Sequence, residues 1–276
     1  MTSSRPIANQ AGDLARKLLD EGFAVCRLDA AGRRSVSELY ALSTEFFHQD
    51  VPVKSRHLVS NLSNGYRPLM SSHSGSPDRP DLSESFLYWP HRREAIPSHD
   101  QIAPFLDALE AYRRSVAEIT HAVLGGLRAH YNYSHALPFE QASVVQINSF
   151  GMHTEEQLLV HKHEDGVLFT IIWASTEGLE GFVDGEVKAF KLAPDEALIM
   201  PGSVLTCMTG GEIQPFYHQA RNFGYTERKS FMFFVCPDTD DTIHPFTVND
   251  TNRGCDIRSL VINNPQMFGL AEDFLQ

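Results

Sequence analysis

Three side chains in this sequence can grip one ion. His163 and Asp165 are two residues apart in His163-Glu164-Asp165-Gly166, a spacing that sends both side chains from one face of an extended strand. His218, further along the chain, supplies a second imidazole. Two neutral imidazoles and one carboxylate cover one face of an iron(II) ion and leave the opposite positions open, as oxygen chemistry needs. Two other readings stand beside this one: a satisfied salt bridge, and a zinc site, although structural zinc takes four ligands where three are offered. His161 competes with His163, because His161-Lys162-His163 also puts two imidazoles on one face.

A second group is cationic. Glu227-Arg228-Lys229-Ser230 runs into the apolar stretch Phe231 to Val235. On a strand Arg228 and Ser230 share the parity of Met232 and Phe234 and should point inward, while Phe231, Phe233 and Val235 face an outer packing layer. A guanidinium aimed into an apolar interior requires an anion, and its planar fork suits a carboxylate. The competing reading is an ion pair with a carboxylate of the protein itself.

The elements that must hold these groups are legible as patterns. Leu14, Leu18 and Leu19 recur at helical spacing and Gly22 offers a stop, after which Phe23 to Leu28 reads as a strand. Ser35 and Glu38 form a capping box opening a helix that ends near Gln49. Residues 55–99 lack periodicity and are expected to form an irregular lid, where Tyr66, Arg67, Phe86 and Tyr88 are candidate substrate contacts. A long buttress helix is expected from near Asp100 to Tyr131, with His121 and His130 as ordinary helix residues.

After Pro138 the period changes. Strands are expected over Val144 to Phe150, Leu158 to His163, Val167 to Ala174, Leu179 to Val183, Val187 to Leu192, Ala197 to Met200, Phe216 to Phe223 and Phe231 to Cys236. Short strands separated by turns suggest a double-stranded jelly roll whose two sheets leave a mouth between them. The expected fold class is α+β, mainly β: a double-stranded β-helix core with N-terminal and buttressing helices. The expected organisation is one domain over residues 1–276, with a helical part at 1–137, the jelly-roll core at 138–237 and a tail at 238–276 carrying a short helix over Leu270 to Leu275.

Composition narrows the partners. A chain of 276 residues with a formal charge of −12 is repelled by nucleic acid and anionic membranes. No apolar run approaches a membrane span and no apolar signal core opens the chain, so a cytoplasmic protein is expected. Cys26, Cys207, Cys236 and Cys255 show no paired spacing and are expected to be reduced, buried thiols.

The order His-x-Asp, His, Arg-x-Ser, strand resembles the isopenicillin N synthase-like family of iron oxygenases, most of which use 2-oxoglutarate. The resemblance extends over residues 12–237. Leu14 to Asp29 is similar to the family's opening helix and strand, and Phe46-Phe47 with Lys54 to its helix end. Gly65-Tyr66-Arg67-Pro68, Asp81 to Phe86, and Ala197 to His218 with Pro201-Gly202 and Thr209-Gly210-Gly211 resemble further family segments.

The resemblance implies an Fe(II) site at His163, Asp165 and His218. It implies 2-oxoglutarate held by Arg228, Ser230 and Asn148, and O2 as co-substrate, with a small molecule hydroxylated, desaturated or cyclised in a biosynthetic pathway. The family's register places the ligand at His163 rather than His161. Related halogenases lose the carboxylate, so Asp165 implies oxygenation. One departure stands out: where many members carry Asn-x-Tyr, this chain has Asn148-Ser149-Phe150. The missing hydroxyl leaves open an oxidase that uses no keto acid, with Arg228 and Ser230 on a substrate carboxylate and Phe150 beside the substrate. A metal-holding jelly roll without turnover is the third alternative.

Overall fold

The computed structural model describes residues 11–74, 78–151, 153–238, 243–249 and 259. Helix α1 (Ala11–Glu21) buries Leu14, Ala15 and Leu18 along one stripe and ends at Gly22, whose φ of 75° is the left-handed cap conformation that glycine tolerates. Strand β1 (Ala24–Arg27) leads to α2 (Ala30–Phe47). The capping box expected at Ser35 is not what starts α2. Asp29 caps it, accepting a 2.8 Å hydrogen bond from Gly32 N, while Ser35 lies inside the helix and donates to the Gly32 carbonyl.

The chain continues through α3 (Val51–Lys54), β2 (Gly65–Arg67), β3 (Glu84–Tyr88), α4 (Ala103–His130), β4 (Val144–Phe150), β5 (Leu158–His163) and β6 (Phe169–Ala174). Then come β7 (Leu179–Val183), β8 (Glu186–Ala189), β9 (Glu196–Pro201), α5 (Ser203–Met208), β10 (His218–Arg221) and β11 (Arg228–Val235). Strands β4, β5 and β7 have the bounds their sequence pattern predicts. The expected tail helix over Leu270 to Leu275 and the first ten residues lie outside the described residues.

Two antiparallel sheets build the double-stranded β-helix. The larger runs β1-β9-β6-β11-β4-β3-β2 and the smaller β5-β10-β7-β8. Between them, Ile172, Leu198, Met200 and Met232 of the large sheet meet Leu179 of the small one, together with Phe190 and Phe216. The other face of the large sheet carries Val145, Ile147, Ile171, Phe231 and Phe233 into a core shared with α1, α2 and α4. Tyr112 of α4 stacks edge-on against Phe231, 5.7 Å between centroids, and its hydroxyl donates to the Phe231 carbonyl. The parity expected for β11 is therefore the observed one.

The segment 55–99 differs from an irregular lid. Strands β2 and β3 within it extend the large sheet, and Tyr66, Phe86 and Tyr88 are core residues. Phe86 packs between Phe46 and Phe105, with centroids 5.2 and 5.0 Å away. Lys54 is buried and anchors this edge: its ammonium meets Glu84 at 2.5 Å and the Phe47 carbonyl at 3.0 Å. These short strands escape a periodicity reading because they are buried on both faces and have no polar-apolar alternation. Just before β3 the chain reaches the small sheet, where Leu82 N donates to Leu159 O of β5 at 2.8 Å.

Cys26 and Cys236 are free and buried, as expected. Cys207 is disulfide-bonded, which corrects the expectation of a reduced thiol there, and Cys255 lies outside the described residues. Among the described residues no helix is long and apolar enough to cross a membrane.

Two glycines should respond to alanine with opposite signs. A Cβ at Gly202 would collide with the carbonyl oxygens of Val167 and Asp165, whereas one at Gly125, on α4, meets nothing within 4 Å. Urea unfolding should show Gly202→Ala losing about 1–3 kcal/mol and Gly125→Ala gaining about 0.5–1 kcal/mol.

Candidate active site

Strand pairing brings the two imidazoles together. His163 at the end of β5 and His218 at the start of β10 are direct antiparallel partners, so their side chains leave the same face, with ring centroids 4.2 Å apart. Asp165 is not on the strand itself, as the two-residue spacing suggests, but in the turn just past the end of β5. It still converges on the pair: Oδ1 lies 3.7 Å from His163 Nε2 and Oδ2 4.0 Å from His218 Nε2. One donor atom from each of the three falls within 4.8 Å of the others, and no fourth His, Cys, Asp or Glu joins the group among the described residues.

The surroundings aim these donors. His163 Nδ1 lies 2.7 Å from the His161 carbonyl and His218 Nδ1 3.3 Å from the Phe216 carbonyl. A carbonyl can only accept, so each Nδ1 carries a proton and each Nε2 is left to face the centre. Burial, reinforced by neighbouring His163, pushes the His218 imidazole down to about 4, so it is neutral at neutral pH and free to act as a ligand. This speaks against a simple salt bridge with Asp165. The Asp165 carboxylate is oriented by the Thr170 hydroxyl, which donates to Oδ2 at 2.5 Å.

His161 serves through its backbone and does not belong to the cluster. Glu164 turns toward α5, accepting from Ser203 N at 3.2 Å. Burial, then the adjacent Asp165, pushes its carboxyl up to about 7. Two imidazoles and one carboxylate on one side of an accessible cleft fit a divalent iron ion better than a four-ligand structural zinc.

Arg228 is the second feature of the cleft. It is 1 % exposed, and among the described residues it has no carboxylate partner. Nη1 donates to Ser230 Oγ at 3.0 Å, Nε donates to the Glu177 carbonyl at 3.3 Å, and the Phe150 ring lies 4.8 Å from the guanidinium carbon. Gly178, at φ 120°, lets the chain pass: a Cβ there would sit 2.7 Å from the Arg221 carbonyl oxygen and 3.4 Å from Arg228 Nε. Burial pulls the guanidinium down to about 10, so it stays charged at neutral pH. The alternative of an internal ion pair finds no partner here.

A cleft joins the two features, lined among others by His163, Asp165, His218, Arg228, Ser230 and Asn148. Of the residues singled out from the sequence, Phe150 also lines it, with its ring against Arg228. Tyr66, Phe86 and Tyr88 do not; they pack in the helical core. Arg67 stands further out, on the strand next to β3. Sequence reasoning misses Gln146, which parity with Asn148 on β4 could reveal. It also misses Ser74 and Thr170, for which no local pattern exists.

Residues 139–237 match the profile of the 2OG-Fe(II) oxygenase superfamily. Over 171 residues the chain is 29% identical to an oxoglutarate-dependent flavonoid 7-O-demethylase of Ocimum basilicum, covering 58% of this chain and 44% of that one. Over 242 residues it is 23% identical to a gibberellin 20 oxidase of Oryza sativa, covering 84% of this chain and 58% of that one. It thus spans about half the length of these curated relatives. A full-length Neurospora crassa protein, solved in complex with alpha-KG, shares the fold with a TM-score of 0.74 at 12% identity, over 93% of this chain and 90% of that one. The match to this family covers residues 139–237, the part of the chain that carries His163, Asp165, His218, Arg228 and Ser230.

Replacing His163, Asp165 or His218 by alanine should abolish stoichiometric Fe(II) binding while the protein stays folded by circular dichroism. Thr170→Val should keep the metal but bind it roughly 10- to 100-fold more weakly, the scale for losing a hydrogen bond that orients a ligand. Full iron content in any of the three alanine variants would remove that residue from the ligand set.

Proposed function

We propose that this chain is a non-heme Fe(II)/2-oxoglutarate-dependent oxygenase, a single oxygenase unit that oxidises a small molecule in a biosynthetic pathway and works in the cytoplasm. The observation that carries this reading is Arg228: a buried guanidinium with a serine hydroxyl beside it, no carboxylate partner among the described residues, and the His163-Asp165-His218 cluster in the same cleft. The basil enzyme named oxoglutarate-dependent and the Neurospora protein solved with alpha-KG support the same co-substrate.

When bound, Fe(II) and 2-oxoglutarate supply the oxygen-activating chemistry. The protein's part is geometric and electrostatic. His163, Asp165 and His218 hold the metal from one side, and Thr170 and the two backbone carbonyls keep their donor atoms aimed. Arg228 and Ser230 take the distal carboxylate of the keto acid, and Asn148 flanks it. Phe150 fixes the guanidinium plane by lying against it, an attraction worth about 0.5–2 kcal/mol where water is excluded. Ser74 lines the cleft, and Leu82 packs beside Phe150 and Val160 to limit water there. Against an oxidase without a keto acid stand the Arg228–Ser230 pair in the same cleft as the cluster and the oxoglutarate dependence named for the basil enzyme.

Anaerobic Fe(II) protein titrated with 2-oxoglutarate should develop the visible absorption of the chelated keto acid. Arg228→Ala should still bind iron but need a concentration higher by about 2–5 kcal/mol in binding free energy, the cost of stripping one partner from a buried charge pair. Arg228→Lys should fall between, keeping charge and losing the fork. A wild type that develops no absorption would reassign Arg228 and Ser230 to a substrate carboxylate.

A further inference from the structure

The cleft face of the large sheet is built in rows, because directly opposed residues of antiparallel strands present their side chains on one face. Arg228 stands opposite Phe150, Ser230 opposite Asn148, and Met232 opposite both Gln146 and Ile172. Phe234 comes next, opposite Thr170, whose hydroxyl holds Asp165 of the metal cluster. Gln146 therefore lies between the row of Ser230 and Asn148 and the row that reaches the cluster, roughly 7 Å along the strand from each. It lines the cleft.

Polarity on this face has a definite sense. Arg228 Nη1 donates to Ser230 Oγ, and Gln146 Nε2 donates to Asn148 Oδ1 at 2.8 Å. Two touching amides must meet donor to acceptor, so this arrangement leaves uncommitted the amide nitrogen of Asn148, beside Ser230, and Oε1 of Gln146, beside Met232. A keto acid seated on Arg228 and Ser230 offers a carboxylate, which only accepts. It calls for a donor at Asn148 and so holds the pair in this sense. Among the described residues Gln146 Oε1 has no hydrogen-bond partner, and it stays open to the cleft.

The rest of the lining has no charge to spare. His163, Asp165 and His218 converge as one cluster, and Arg228 faces the keto acid. The Ser74 hydroxyl donates to Asp81 and the Gln219 amide nitrogen to Glu180. What remains is apolar: Phe150, Val160, Ile172, Leu179, Met232 and Phe234. An ionised substrate would give up its water here with no counter-ion beyond those two centres.

We propose that Gln146 determines substrate specificity, and that the substrate is a neutral, largely apolar small molecule that donates an N–H or O–H hydrogen bond to Gln146 Oε1. Its apolar body lies against Met232, Ile172 and Phe234. Phenols, alcohols and secondary amides have this chemistry; carboxylic acids and phosphates do not. A look-alike without the donor is rejected because it leaves the Gln146 oxygen unpaired and shut off from water. The proposal rests on the oxygenase reading above, which seats the keto acid at Arg228 and fixes the sense of the amide pair.

The test uses the full chain loaded with Mn(II) in place of iron and saturated with 2-oxoglutarate, so that nothing turns over. Phenol is titrated against anisole and 2-pyridone against N-methyl-2-pyridone, with benzoate as the ionised comparison. Broadening of each probe's proton NMR lines by the paramagnetic Mn(II) reports occupancy beside the metal. At least one donor probe should broaden saturably, with its methylated partner about three- to tenfold weaker, the range one net hydrogen bond allows, and with benzoate weaker than the donor probe. Gln146→Leu should erase the difference within that pair while 2-oxoglutarate binds as in the wild type. Gln146→Met, closer in shape, repeats the measurement if Gln146→Leu does not fold, and the wild-type comparison stands by itself. No saturable broadening by either donor probe, equal binding within both pairs, benzoate binding tightest, or selectivity that survives in the variant overturns the proposal. So does a variant that loses 2-oxoglutarate instead of selectivity, which hands Gln146 to the keto acid. Failure of 2-oxoglutarate to bind the wild type would instead overturn the oxygenase reading.

Discussion

The structure hangs on the register of β11. This strand lies between β4 and β6 in the large sheet, with both faces committed: Arg228, Ser230, Met232 and Phe234 toward the cleft, Phe231, Phe233 and Val235 toward the helical core. A slip of one residue would exchange the two sets, driving the guanidinium against Tyr112 and the phenylalanines into the cleft. The outer set resists this by burying aromatic area, where truncation of one phenylalanine costs about 3–5 kcal/mol. Packing on the dry side thus fixes the position of a charge on the other.

That charge sets the chemistry of the cleft. Removing a guanidinium from water carries a penalty of several kcal/mol, which Ser230, the Glu177 carbonyl and the Phe150 ring offset only in part. On the proposed reading a dianionic keto acid would complete the balance, with one carboxylate at Arg228 and the other end directed to the metal ligands. On the same reading the imidazoles of His163 and His218, with the single carboxylate of Asp165, would leave a bound divalent ion with residual positive charge to share with that ligand. The buried ammonium groups of Lys54 and Lys229 are satisfied by Glu84 and Glu227, so on this sheet it is the cleft face that reserves charge for something outside the chain.

Much of this is legible in the sequence for a physical reason. His163, Asp165 and His218 announce themselves because ligand chemistry demands those types, and Arg228 because a cation at even parity with Met232 and Phe234 calls for an anion. The core strands follow from period-2 patterning bounded by turns. What escapes lacks a periodic signature. Strands β2 and β3 are too short and too buried to alternate, so Tyr66, Phe86 and Tyr88 read as loop aromatics when they are core. The pattern puts the α2 start at Ser35, although Asp29 meets the same need earlier. Ser74 and Thr170 matter through hydrogen bonds to carboxylates that no local pattern announces. The disulfide at Cys207 is illegible because its spacing has no motif.

The central claim is that the buried cation and the metal cluster serve one keto acid. Its most direct test is stoichiometric: Fe(II)-loaded protein supplied with 2-oxoglutarate and O2, with oxygen consumption and succinate formation measured together. The account predicts one succinate for each O2 consumed, with both lost in Asp165→Ala. Oxygen consumption without succinate, or succinate formation undiminished by Asp165→Ala, would contradict it.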